Sequence, residues 1–382
     1  MASIPLFTYS DAVDHVLSLL GSQANADTAR DARRATQQAY REFPAARRWS
    51  YYMTRGRITT VAEYSTGTIT YTHATRTLTL ASGTWPTWAA YGTVVISSVP
   101  YEVASRSSGS ALILSVNSNP GANVAAGTTY TIHRDKYPLP ADFLAIDQLM
   151  ANGSSPSWPE YVLPRNWLTS QLNATSGAPN RFCIMGDTNY MGVMSVFFQP
   201  HPSDVVPFDF IYHRRPRPLL VEEYKTGTVS VTAASTTVTG SGTAWTSKHV
   251  GSTIRLSSTT ADYPTGGVGG NPFSVERIII SVESTTSVTV DTAIDDAHTA
   301  VKYVISDPID IEDGAMMVAF LRCIEKQGSI ARHMRDKVDF SAMYQQALIG
   351  AFEADSRSFA PRVASAGGGY RIVDYTQAAD MS

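Results

Sequence analysis

Residues 226–245 read TGTVSVTAASTTVTGSGTAW, and residues 66–85 read TGTITYTHATRTLTLASGTW. The stretches share their length, an opening Thr-Gly-Thr, a closing tryptophan and eight identities: Thr66/Thr226, Gly67/Gly227, Thr68/Thr228, Thr72/Thr232, Ala74/Ala234, Thr77/Thr237, Thr79/Thr239 and Trp85/Trp245. Threonine bias supplies some of these. It does not supply a tryptophan at one position, or the glycine that opens the next strand in each copy, Gly92 and Gly251. One piece of architecture has been used twice.

Around each copy the pattern has period two and is rich in β-branched residues, the mark of half-buried strands. The first run, from about Arg55 to His133, contains TGTITYT, RTLTLAS, YGTVVISS, YEVASRS, ALILSVN and TTYTIHR; the second, from about Lys225 to Ile305, contains TGTVSVT, STTVTGS, GSTIRLSS, FSVERIIISVES, SVTVDT and VKYVISD. Threonine and serine combine strand propensity with solubility on short strands that keep one wet face, so packing alone explains the composition. The reading is of two small antiparallel β-barrel or sandwich modules, 55–133 and 225–306, with Trp85 and Trp245 plugging their cores. The second adds a glycine-rich loop, TTADYPTGGVGGNP.

Helical periodicity is confined to the two ends of the chain. Thr8 and Asp11 have capping-box spacing, and Val13, Val16, Leu17 and Leu20 follow on one face before Gly21. A second helix from about Asp27 to Pro44 sets Ala29, Ala32, Ala35, Ala39 and Phe43 on one side, with Arg30, Arg33, Arg34, Gln37 and Arg41 largely on the other. Near the C-terminus, Asp310 and Asp313 stand where they would cap GAMMVAFLRCIEKQG, apolar almost all round from Ala315 to Ile324, which requires neighbours on every side. A further stretch, about Ser329 to Asp355 with a break near Asp339, presents Met343, Tyr344, Ala347, Leu348, Ala351 and Phe352 as one face.

The expected fold is therefore α+β. A helical bundle core is built from the N-terminal (1–54) and C-terminal (307–356) helices, with the two β modules inserted, a mixed central region at 134–224 and a C-terminal arm at 357–382. In the central region, alternation in Val193, Ser195 and Phe197, and in Phe208, Phe210 and Tyr212, predicts two antiparallel strands.

Composition narrows the function. A chain of 382 residues, 43% hydrophobic and 16% charged, can bury a real core; with 30 Lys+Arg against 33 Asp+Glu it has no global basic footprint for nucleic acid or a membrane surface. The start MASIPLFTYSDAVDHVLSLLG lacks the basic region of a secretory signal, and no run reaches the roughly 18 apolar residues of a spanning helix. Cytosolic assembly is expected. Cys183 and Cys323 sit in no Cys/His cluster and read as buried fillers.

No chemistry declares itself. TGGVGGNP lacks the Gly-Lys-Ser/Thr ending of a phosphate loop, His298 beside Asp295 and Asp296 reads as an ordinary turn, and there is no GxSxG elbow. Glu222 and Glu223 are adjacent, so on a strand they point to opposite faces and cannot flank one bond. No enzyme activity, cofactor or metal is expected. The HRRPRP run at 213–218 is a compact positive patch, with prolines that suggest an extended strand exit and arginines, Arg214 and Arg215 among them, free to pair with a neighbouring chain.

The order of helices, β insert, Tyr137-Pro138-Leu139-Pro140 with Asp142-Phe143, Pro179 to Gly186, Gln199-Pro200-His201-Pro202, Tyr212 to Pro218 and a C-terminal helix pair resembles the head-to-tail adaptor (neck) proteins of tailed bacteriophages. The resemblance implies a non-enzymatic virion component in the neck between head and tail. Its helices would assemble side by side into a ring, commonly of twelve copies, beneath the portal, with DNA passing only as cargo and no membrane involved. Met316, Met317 and Phe320 would then serve both as core and, with Arg214 and Arg215, as subunit contacts. The doubled β module would be decoration or a platform for tail tube, nozzle or fibre proteins.

After Phe359 periodicity is lost, and a Gly367-Gly368-Gly369 hinge precedes Tyr370, Arg371, Ile372, Val373 and Tyr375. Such residues suit an arm that orders on a partner; the resemblance makes that partner the portal. The competing reading is a glycan- or receptor-binding tail protein or adhesin, for which Trp85, Trp88 and Trp245 would be the sugar platforms.

Overall fold

The computed structural model describes residues 6–20, 26–134, 136–151, 158–171, 176–186, 193–264, 273–331 and 339–358. Among these are five α-helices, α1 (Tyr9–Leu20), α2 (Ala26–Ala45), α3 (Pro164–Gln171), α4 (Ala315–Ala331) and α5 (Phe340–Ser358), together with several mostly antiparallel sheets, so the protein is α+β. The chain divides into two compact units: Tyr52–Arg215, the middle unit, and Met1–Tyr51 with Pro216–Ser382, the terminal unit.

Each unit contains one copy of the repeated module. In the middle unit the strand order is Val124–Thr128, Ile69–Thr72, Thr77–Leu80, Ala111–Leu114, Val99–Ser108, Gly92–Ile96, Tyr130–Arg134. In the terminal unit it is His298–Val301, Thr228–Val231, Ser235–Ser241, Ser287–Ile294, Val275–Ser284, Thr253–Leu256, Tyr303–Ser306. In both, the first and last strands are consecutive in the chain, so one segment supplies both ends of a sheet that curls towards closure and leaves little open edge. The ten-residue strands Val99–Ser108 and Val275–Ser284 each shift register, between Val103 and Ser105 and between Ile279 and Ser281. Such bulges bend a strand enough for it to serve both sides of a curled sheet.

The repeat extends to the wiring of the cores. Trp85 is 0% and Trp245 1% exposed, as the plug reading requires. Trp85 Nε1 donates to Tyr130 Oη at 2.9 Å, and that hydroxyl donates to the Thr66 carbonyl at 2.9 Å; Trp245 Nε1 donates to Tyr303 Oη at 3.2 Å, which donates to the Thr226 carbonyl at 2.6 Å. A second tyrosine in each module accepts a backbone N–H beside the tryptophan: Thr84 N to Tyr64 Oη at 3.2 Å, Ala244 N to Tyr224 Oη at 2.7 Å. Gly67 and Gly227 open the repeat at φ +84° and +87°, where a Cβ would overlap the carbonyl oxygens of Ser82 and Ser241. These shared demands account for the shared tryptophan and for the glycine pair Gly67/Gly227. The strand Val124–Thr128 escaped the sequence reading because VAAGT does not alternate.

In the terminal unit, Thr8 and Asp11 cap α1 as expected: the Thr8 N–H donates to Asp11 Oδ2 at 3.0 Å and the Asp11 N–H to Thr8 Oγ1 at 3.3 Å. α2 buries Ala32, Ala35, Ala39 and Phe43, and it runs one residue past Pro44, to Ala45. Helix α4 has α1, α2 and α5 as neighbours. The Phe320 ring lies 6.1 Å from both Tyr40 and Phe43, and Phe43 stacks on Trp49 at 4.9 Å. In α5 the predicted face holds: Tyr344, Leu348 and Ala351 are buried, and Met343, Ala347 and Phe352 half-buried. Its start follows Asp339, whose carboxylate accepts the Ala342 N–H at 3.0 Å. Asp310, expected to cap α4, instead accepts the Tyr51 hydroxyl at 3.1 Å and the Arg217 N–H at 2.9 Å.

The central region of the middle unit is built from two further sheets. Met53–Thr59, Pro207–Arg214 and Phe143–Ala151 form one; Glu160–Tyr161, Arg181–Gly186, Met194–Gln199 and Lys136–Pro138 form the other. Their shared core contains Tyr137, Phe143, Phe182, Val196, Phe198, Phe208, Phe210 and Tyr212. The inward set on Met194–Gln199 is thus Val196 and Phe198, the opposite parity to the expected Val193, Ser195 and Phe197. Both faces of this strand are covered, since Ser195 is also fully buried, and that removes the one-sided alternation on which the parity depended.

Candidate assembly surfaces

Polar side chains converge in one place among the described residues: His133 stacks on His201 at 3.7 Å, and both line, with Glu102 and Lys136, a cavity of about 680 Å³. No three His, Cys, Asp or Glu side chains among the described residues are placed to hold a metal. Cys183 and Cys323 are buried, and burial pushes both thiols up, Cys323 to about 12, which disfavours a reactive thiolate. Glu222 pairs with Arg33 at 2.5 Å and Glu223 with Lys225 at 2.8 Å. No helix among the described residues is long and apolar enough to cross a membrane.

The 213–218 run is more committed to its own chain than the sequence suggested. His213 is buried, 3.3 Å from Asp147, and the Arg214 guanidinium lies over the Tyr52 ring at 5.3 Å. Arg217 Nη2 donates to the Val250 carbonyl at 2.7 Å and to Asp307 at 3.2 Å. Asp307 is 0% exposed and also accepts the N–H groups of Leu220 and Val221 and the Ser252 hydroxyl, at 2.6, 2.7 and 2.7 Å. A buried carboxylate needs such partners, and this need draws Arg217 inward. Arg215 remains exposed, its N–H donating to the Asp142 carbonyl at 2.6 Å.

Met316, Met317 and Phe320 lie on α4 in the terminal unit, while Arg214 and Arg215 belong to the middle unit. Met316 and Phe320 are 1% and 0% exposed, and Met317 is 9%. Within the single chain they face its own interior, and the large apolar side chains that α4 turns outward are Val318, 54% exposed, and Ile330, 37% exposed. The arm residues Tyr370, Arg371, Ile372, Val373 and Tyr375 lie outside the described residues, as does most of the GGVGG loop. Of the three tryptophans in the sugar-binding reading, Trp85 and Trp245 are sealed in their modules and offer no platform, while Trp88 packs half-buried against the first module's core.

One surface went unnoticed in the sequence. Trp158, Tyr161, Leu163 and Leu168 are 64%, 46%, 44% and 75% exposed within one short segment, and Leu144 is 57% exposed. Leu144 and Tyr161 border a cleft of about 460 Å³ floored by Phe182, Ile184 and Met194. A concentration of large exposed apolar side chains marks an interaction surface. The available signal was SWPEYVLPRNWL, apolar residues with neither strand nor helix period between prolines.

Residues 102–234 match the family model described as SU10 adaptor protein. No curated protein and no solved structure matches the chain. The matched span runs from the second half of the first module, across the whole central region with its four quoted motifs, into the opening of the second module. The match supports a phage head-to-tail adaptor family for this chain.

Proposed function

We infer that the chain is a structural virion protein, a head-to-tail adaptor that forms a ring under the portal and joins the DNA-filled head to the tail. The observation that carries this reading is the position of the family match, whose residues 102–234 enclose the 137–218 motifs. In this reading the helices of the terminal unit make the bundle core. Copies pack side by side, twelve to a ring, through one repeated heterologous contact that closes. Met316, Met317 and Phe320 stiffen that core, and Arg214 and Arg215 with the exposed apolar surface around Trp158 meet neighbouring proteins.

The arm bearing Tyr370, Arg371, Ile372, Val373 and Tyr375 orders on the portal, so that the ring forms only where a portal ring already presents its sites. The β modules meet tail tube, nozzle or fibre proteins. DNA is cargo in the channel, no catalysis is involved, and assembly takes place in the host cytoplasm. Native mass spectrometry of the full chain mixed with purified portal tests the ring: about a dozen chains per portal complex are expected. A chain that stays monomeric beside the portal would sink the proposal. Deleting residues 367–382 should leave a folded chain that no longer joins DNA-filled heads; normal joining by the truncated chain would disprove the arm.

A further inference from the structure

The outer face of α2 carries charge that the adaptor reading leaves unused. The buried side of this helix centres on Ala32, Ala35, Ala39 and Phe43. At about 100° per residue, the opposite direction falls on Arg30, Arg34, Gln37 and Arg41, and all four are exposed. The one carboxylate in line with it is Asp27, seven residues before Arg34, in the first turn of the helix. Asp31 lies to its side, and Glu42 is turned to Lys326 and Gln327, both at 2.5 Å. Arg30 makes an exposed pair with Asp27 at 3.0 Å, and Arg33, beside the strip, is held by Glu222. Arg34 and Arg41 make no ion pair among the described residues.

A helix face kept wet for solubility usually mixes both signs. From Arg30 to Arg41 this one carries three arginines and no acidic residue, in a chain whose net charge is −3. The guanidinium fork matches two oxygens of a phosphate, and the choice of arginine over lysine favours that partner. Arg34 and Arg41 are seven residues apart, about 10 Å along the helix axis, a run that a continuous line of phosphates can follow. No aromatic ring stands on the strip, so it has nothing on which to stack unpaired bases.

The geometry points to a contact between the Arg30–Arg41 strip of α2 and the sugar–phosphate backbone of duplex DNA, made without sequence preference. It goes beyond the adaptor reading and does not depend on it, because the strip belongs to the free chain. Fluorescence anisotropy of a labelled duplex of about 30 base pairs, titrated with the full chain, tests it. Three phosphate contacts give a log–log salt slope of about −2.7, an affinity loss of about 40-fold between about 50 and 200 mM salt.

The double variant Arg34→Ala/Arg41→Ala, on an exposed face and checked for an unchanged melting temperature, retains one contact. Its slope falls to about −0.9 and its loss over the same range to about 3.5-fold. Arg165→Ala, exposed on α3 of the middle unit, leaves the slope unchanged. A wild-type chain that does not bind the duplex at about 50 mM salt, or a double variant that keeps the full slope, overturns the inference. A single strand competing as well as the duplex overturns the choice of duplex. None of these outcomes bears on the portal experiment.

Discussion

Replacing Tyr130 or Tyr303 with phenylalanine removes one oxygen from the centre of a β module and leaves the ring in place. Tyr130→Phe strands the Trp85 indole N–H, on a side chain 0% exposed, and takes the donor from the Thr66 carbonyl. A buried polar group left without its partner costs about 1–3 kcal/mol, and the half-buried carbonyl adds less, so the expected loss is about 2–3 kcal/mol. For units of this size that lowers a melting transition by about 4–12 °C. Tyr303→Phe should do the same through Trp245 and Thr226, because the wiring is the same.

The two tyrosines lie in different units, so the test discriminates. A chain with two compact units need not melt as one, and calorimetry should show Tyr130→Phe lowering one transition and Tyr303→Phe the other. In the double variant Trp85→Phe/Tyr130→Phe the stranded N–H is gone, so the double should cost less than the sum of the singles by about 1 kcal/mol. Drops below about 1 °C, or equal shifts of both transitions by either variant, would refute the idea that these hydroxyls hold the modules together.

Three further outcomes are expected. Arg255, 6% exposed, donates to Glu276 at 2.7 Å, to Asp11 at 2.8 Å and to the Leu6 carbonyl at 2.6 Å; Arg255→Ala strands the equally buried Glu276 carboxylate and should cost about 3–5 kcal/mol in urea unfolding of the terminal unit. A loss under about 1 kcal/mol would contradict the assigned burial. Burial raises the Cys323 thiol from 9.0 to about 12, so between those values the unfolded chain has lost a proton that the folded chain keeps. Stability of the terminal unit is therefore whole below pH 9.0 and declines as pH rises towards about 12. In Cys323→Ala the decline should wait until pH 10.0, the ordinary value from which burial raises Tyr303 and Tyr344; an unmoved onset in the urea midpoint against pH would contradict this. Finally, Gly67→Ala and Gly227→Ala meet both a positive φ and a carbonyl oxygen, whereas Gly121, at φ +73°, has open space. The first two should cost about 3 kcal/mol and Gly121→Ala about 1 kcal/mol; equal costs would show that strain alone, not crowding, is at issue.

Much of the fold was legible because its signals are local. The Thr8/Asp11 cap, the α5 face and the duplicated Trp85 and Trp245 all rest on spacings of a few residues or on direct comparison of two stretches. What failed needed partners distant in sequence. Phe197 and Val196 exchanged roles because coverage of a strand by a second layer is invisible in its own alternation. Arg217 turned inward because Asp307, 90 residues away, is buried and needs it. The apolar group Trp158, Tyr161, Leu163 and Leu168 is visible as residues, but only folding decides which of them remain uncovered.

By itself the sequence determined the α+β class, the duplicated module, the helical ends and the adaptor resemblance at 137–218, since periodicity and repeated motifs are properties of the chain. Tertiary structure alone decided that one segment supplies both end strands of each curled sheet, that a tyrosine hydroxyl links each buried tryptophan to a threonine carbonyl, and which arginines of 213–218 stay in solvent. The physical reason is that burial and hydrogen-bond partnership are relations between segments far apart in the chain, and they exist only once those segments have packed.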